Sequence, residues 1–87
     1  MAIQIQNYIT ETKVFTVGGQ TDSDCNSILF VNTGTTDVYV DGFKLTTGQS
    51  WSILGNRGEM NSKTYSFSFF EPKGTEALTV IYKRYVG

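Results

Sequence analysis

The chain predicts an all-β fold, a small antiparallel β-sandwich or jelly-roll-like barrel of about seven short strands. Three observations carry this expectation. Apolar residues recur with a period of two almost everywhere, most plainly in "TYSFSFF", where Tyr65, Phe67 and Phe69 fall on one face and Ser66 and Ser68 on the other. Helix formers are scarce: nineteen of 87 residues are Ser or Thr, nine are Gly and only two are Ala, and no window of a dozen residues keeps an i, i+3, i+4 apolar stripe. Turn signals are dense, with three between Val31 and Ser52, "VNTGTTDVYVDGFKLTTGQSWS".

Taken in order, the N-terminal "IQIQNYI" alternates but no turn pins it, so residues 1–11 are either an edge strand or an arm reaching a neighbour. Short runs of β-branched and aromatic residues then mark strands at Thr12–Val17, Ser27–Asn32, Asp37–Val40, Phe43–Leu45 and Ser50–Leu54. "NTGT" joins the second of these to the third, with Gly34 placed to supply the positive φ of a tight turn. Asp41-Gly42 between "VYV" and "FKL" reads as a two-residue type I′ hairpin, which needs positive φ at both positions. Leu45 then points to the core, and the turn at Gly48 places Trp51 and Ile53 on one face with Ser50 and Ser52 on the other. The whole stretch reads as a compact meander. Pro72 and Gly74 in "EPKGTE" suit a hairpin between the last two strands. In "ALTVIYKRYVG" both faces are partly apolar, which places that strand centrally or against a partner.

One domain spanning residues 1–87 buries only about 60–65% of the surface its unfolded form exposes, and no staple compensates. Cys25 is the only cysteine, so it reads as a buried free thiol, the alternative being a bridge between chains. Histidine is absent, which removes the commonest general base and metal ligand and rules out any Ser-His pairing. The net charge is −1 with scattered basic residues, no footprint for nucleic acid. Nothing resembles a signal peptide or approaches the roughly 18 apolar residues of a membrane span, so synthesis in the cytoplasm without export is expected.

The pattern "FVNTGTTDVYVDGFKLTTGQSWSI", followed by "GNRGEM" and "TYSFSF", resembles small β-rich virion structural proteins of tailed bacteriophages. The likeness is to short virion proteins of phages of Bacteroidetes hosts, including the crAss-like group. It covers roughly residues 28 to 70. The resemblance implies a head or tail component of the virion, made in the host cytoplasm and carrying no catalytic residues, so no active site is transferred.

Other constellations are weaker. "DSDCN" spaces Asp22, Asp24 and Asn26 like the start of a calcium loop, but Ser27 stands where Gly is needed and Thr33 where a bidentate Glu is needed, so a polar turn is expected. Glu11, Glu59, Glu71 and Glu76 sit in or beside predicted turns, as solvated acids do. "GNRGEM" lacks the Lys-Ser/Thr and the helix of a phosphate cradle. Neither a cofactor nor a metal site is expected.

Aromatic residues remain, twelve in all. Phe30, Phe67, Phe69 and Trp51 read as core, whereas Tyr39, Phe43 and Trp51 together read as a stacking platform. The candidate interaction surface is Tyr8, Tyr39, Phe43, Trp51, Phe70, Arg84 and Tyr85. The expected activity is assembly without catalysis: a homo-oligomer, a trimer by analogy with phage fibres and spikes, docked on larger capsid or tail proteins. The alternative is a small carbohydrate-binding or host-adhesion module using Trp51 and Tyr39.

Overall fold

A computed structural model describes residues 7–56, 58–70 and 74–86. Eight strands follow one another: β1 (Asn7–Phe15), β2 (Gly19–Asp22), β3 (Ser27–Asn32), β4 (Val38–Val40), β5 (Phe43–Leu45), β6 (Ser50–Ile53), β7 (Thr64–Phe69) and β8 (Leu78–Val86). Two four-stranded sheets result, one ordered β1-β8-β3-β6 and the other β2-β7-β4-β5, with every pairing antiparallel. No helix occurs among the described residues. This strand order is that of a jelly roll, in which the chain passes from sheet to sheet at nearly every connection.

The crossings correct the sequence reading in two places. Only β4 and β5 are consecutive and paired, so the stretch from Val31 to Ser52 is a hairpin flanked by two crossings and not a meander. β7 and β8 also lie in different sheets, so the segment containing Pro72 does not close a hairpin between them; Pro72 itself lies outside the described residues. The additional strand, β2, has the sequence "GQTD" and buries only Thr21, which leaves no apolar alternation to read. The N-terminal alternative resolves in part: residues 7–11 belong to β1, an edge strand of the first sheet, while residues 1–6 lie outside the described residues.

The core is built by alternation. Ile28, Phe30, Leu78, Val80 and Tyr82 face inward from the first sheet, and Val38, Val40, Leu45, Tyr65 and Phe67 from the second. Phe15, Trp51, Ile53 and Phe69 pack half-buried around them. Cys25 is fully buried in this cluster, and burial pushes its thiol above the ordinary range, the Arg84 charge offsetting only part of the rise. A protonated, enclosed thiol is a packing group and not a nucleophile.

Two turns show how local chemistry fixes the topology. Asp41 and Gly42 both take positive φ, 48° and 88°, and Val40 pairs directly with Phe43, the two-residue hairpin read from "DG". Gly34 is required for a different reason from the expected one. Its φ is not positive; instead it is buried so tightly that a Cβ there would stand 2.3 Å from the Thr75 carbonyl oxygen. Asn32 organises this crossing. Fully buried, its amide donates to the carbonyls of Thr36 and Leu45, both at 2.9 Å, and its side-chain oxygen accepts the Gly34 N–H at 3.0 Å. It thereby ties β3 of one sheet to β5 of the other and satisfies groups whose burial unpaired is costly.

Candidate interaction surfaces

The seven residues singled out from the sequence separate into three places. On the first sheet, Tyr8 and Tyr85 are directly opposite on β1 and β8, with rings 6.3 Å apart edge to face. The Lys83 ammonium lies over both, 4.4 Å from the Tyr8 ring and 4.9 Å from that of Tyr85. Arg84, one residue on, points to the other side. Its Nε donates to the Asp24 carbonyl at 2.6 Å, its Nη1 to Glu11 at 3.2 Å, and its guanidinium lies over the Tyr82 ring. Arg84 is therefore engaged within the fold.

Tyr39 and Phe70 form a second pair, 5.8 Å apart and edge to face, beside the outer surface of the second sheet. Phe43 and Trp51 form the third, 4.6 Å apart, where the edge strands β5 and β6 approach across the mouth of the sandwich. The expected platform of Tyr39, Phe43 and Trp51 is thus divided by alternation: Val38 and Val40 turn inward, so Tyr39 between them turns outward, whereas Phe43 and Trp51 lean toward the interior. Trp51 is also covered on both sides, stacked on Phe30 at 5.6 Å and lying against Phe43. What remains is Phe43, 59% exposed, over an open groove of about 480 Å³ bordered by Lys44, Gln49 and Ser50.

The outer faces of the two sheets add a feature that counting aromatics misses. On the first sheet, Leu29 and Val31 of β3 stand opposite Ile81 and Thr79 of β8, with Val14 of β1 and Leu54 beyond β6 at the flanks. Leu29, Val31 and Ile81 are half-buried; Val14 is 59% and Leu54 82% exposed. A shallow apolar groove of about 370 Å³ runs among Thr10, Leu29, Leu54 and Ile81, with Lys83 at its end. The second sheet instead presents Gln20, Asp22, Thr64, Ser66, Ser68, Tyr39 and Lys44. It is held by Thr64 donating to Asp22 at 2.6 Å and by ion pairs Lys63–Asp41 (2.7 Å) and Lys44–Asp37 (3.5 Å). Hydrogen bonding from Lys63, then from the Ser66 N–H, holds the Asp41 carboxyl below the usual range. The sequence signal for the apolar face was present in "ALTVIYKRYVG", with apolar residues on both sides of the strand, and in the unbroken run of "SILFVN".

The oxygen ligands of "DSDCN" do not converge. Asp22 accepts from Thr64, Asp24 from Ser62, and Asn26 turns inward to donate to the Asn56 and Glu59 carbonyls. Those two carbonyls belong to the "GNRGEM" loop, so Asn26 pins that loop to the sandwich, and a Cβ at Gly55 would stand 2.1 Å from the Asn26 carbonyl oxygen. Arg57 lies outside the described residues. Among the described residues no group of three or more Cys, Asp or Glu side chains is placed to hold a metal ion. The chain matches no family model, no curated protein and no solved structure.

Proposed function

We propose that this chain is a non-enzymatic structural or accessory protein of a phage virion, a head or tail component that acts by assembling with copies of itself and docking on larger particle proteins. The observation that carries the reading is the outer face of the first sheet, where Leu29, Val31, Ile81, Val14 and Leu54 form an aliphatic surface that the core does not use. In a chain of this size such a surface is an interaction site by its composition. The jelly-roll order agrees with this, being an architecture of viral capsid domains and also of lectins.

The test is sedimentation at micromolar concentration, together with mass spectrometry of purified particles. An oligomer stoichiometrically present in the virion, and lost from the virion but not from solution in Leu29→Asp, is expected. A folded monomer absent from particles would overturn the proposal. One observation favours glycan binding as a second reading: the exposed Phe43 ring above a groove bordered by polar groups. It expects glycan affinity abolished by Phe43→Ala, whereas Tyr39 stands outside that groove and its loss leaves affinity unchanged.

A further inference from the structure

The sandwich has four edge strands, and they are unequal. β2 and β6 are four residues long and β5 three, lengths that give another chain little to pair with, whereas β1 runs for nine residues without Pro or Gly. Every residue from Tyr8 to Val14 is exposed. Along β1, Glu11 and Lys13 point to the inner side opposite Tyr82 and Val80, and Thr10, Thr12 and Val14 point to the outer side. The Lys13 ammonium lies 5.3 Å from the Tyr82 ring, and the Glu11 carboxylate, about half exposed, has Arg84 on one oxygen.

We infer that β1 is the self-association edge, pairing antiparallel with β1 of a second copy so that Thr12 meets Thr12 on a two-fold axis. The inference rests on the assembly reading above and supplies its first contact. The charges select the register. With Thr12 on the axis, each Glu11 stands opposite the second copy's Lys13, and each exposed Ile9 opposite the second copy's Phe15, so two cross-strand ion pairs and two apolar pairs form together. Moving the axis to Glu11 opposes two carboxylates, and moving it to Lys13 opposes two ammonium groups. An axis between residues opposes an inward side chain with an outward one, which antiparallel pairing does not allow. Inward charges on an edge ordinarily guard against pairing. Here their opposite signs two residues apart turn the guard into a selector of one register.

Joined this way, two first sheets become one eight-stranded sheet. Val14 of each copy meets Thr10 of the other, and the two aliphatic outer faces lie on the same side as a continuous platform for a larger protein. The symmetry is two-fold, so the unit is a dimer and not the trimer suggested by analogy with fibres.

Cysteine cross-linking reads the register directly, since Cys25 is buried. In the inferred pair the two Thr12 side chains have Cβ atoms about 5 Å apart, close to disulfide reach. The two Thr10 side chains, offset by four residues, are roughly 13 Å apart, beyond it. With a mild added oxidant, Thr12→Cys is expected to form a covalent dimer and Thr10→Cys to remain uncross-linked. Lys13→Glu and Glu11→Lys are each expected to be monomeric with unchanged circular dichroism, and their equimolar mixture to form a heterodimer, because opposite charges again face each other. An oligomer in which Thr12→Cys and Thr10→Cys cross-link alike, or a wild-type trimer, would overturn this register while leaving the assembly reading standing. A wild-type monomer insensitive to both charge changes would overturn the pairing and leave assembly to rest on the particle experiment alone.

Discussion

The two sheets present matched inner faces to one another and unlike outer faces to solvent. Inside, Phe30 of the first meets Tyr65 of the second edge to face at 5.1 Å, and neither sheet has a core of its own. Outside, the second sheet is tiled with hydroxyls, amides and ion pairs, while the first carries an aliphatic row with Lys83 as the one charge at its groove. Burial of the core therefore cannot explain Leu29 or Ile81, since the second sheet folds against the same core with Ser66 and Ser68 on its corresponding face. The core that holds the two sheets together therefore does not account for the difference between their outer faces.

Neighbouring residues on β3 test that separation most severely. Phe30→Ala empties the shared core and should cost about 3–5 kcal/mol, a large part of the roughly 5–15 kcal/mol such a domain possesses. Leu29→Ala, one residue away on the outer face, should change the isolated chain by no more than about 1 kcal/mol. Urea unfolding of both would break the comparison if the two losses were similar.

The sheets also differ in how their strands are joined. The second contains the sole hairpin among the described strands, and the first contains none. At Gly42 a Cβ meets no atom within 4 Å, so Gly42→Val acts through its positive φ alone and should cost on the order of 1–3 kcal/mol. Equal denaturant stability of the variant would mean that this turn does not organise the second sheet.

Docking on the particle should respond to one face only. Ile81→Asp is expected to lower incorporation into particles at least about tenfold, or about 1.4 kcal/mol, and Ser68→Asp on the opposite sheet to leave it unchanged, both by quantitative mass spectrometry of purified particles. The smallest contrast is acid sensitivity. Because the folded Asp41 carboxyl is depressed, its contribution is full above the unfolded value of about 3.9 and is lost as pH falls through the lower folded value. The protection of the Ser66 amide, whose N–H donates to Asp41 at 2.9 Å, should therefore fall relative to its intrinsic exchange rate below about pH 4, while amides of β3 facing β8 keep theirs. The effect is slight because the pair is exposed to solvent and salt.

Much of this was legible in the chain, and the failures share a cause. "DG" fixed its hairpin because two positive φ values are a local demand, and the two-sided "ALTVIYKRYVG" placed its strand centrally or against a partner, the central place being the one β8 takes between β1 and β3. The sheet that each strand enters is not a local property. Turns at Gly34 and Gly48 look alike whether they return the chain to its neighbour or carry it across, and only Asn32, bonded to Leu45 of the other sheet, reveals the crossing. "GQTD" was unreadable because β2 is held by its ladder and one buried threonine. The aliphatic face is written in no single stretch, because Val14, Leu29, Leu54 and Ile81 are distant in sequence and meet only once β1, β8, β3 and β6 are set in order. The converse holds at Tyr39, where nearness along the chain to Phe43 and Trp51 hides a change of face.

The place of β8 has a consequence for how the molecule is made. β8 lies between β1 and β3, pairing Asn7 with Val86 at one end and Asn32 with Leu78 at the other, yet it is translated after the other seven strands. Until it leaves the ribosome, β1 has no partner strand and the core lacks Leu78, Val80 and Tyr82. The nascent chain must therefore wait, with its longest edge strand open, for a contact spanning nearly its whole length, and such contacts form slowly. A ribosome stalled before Leu78 would hold a second sheet with only the β3–β6 pair to close over it, so β8 is the strand that commits the chain to its fold.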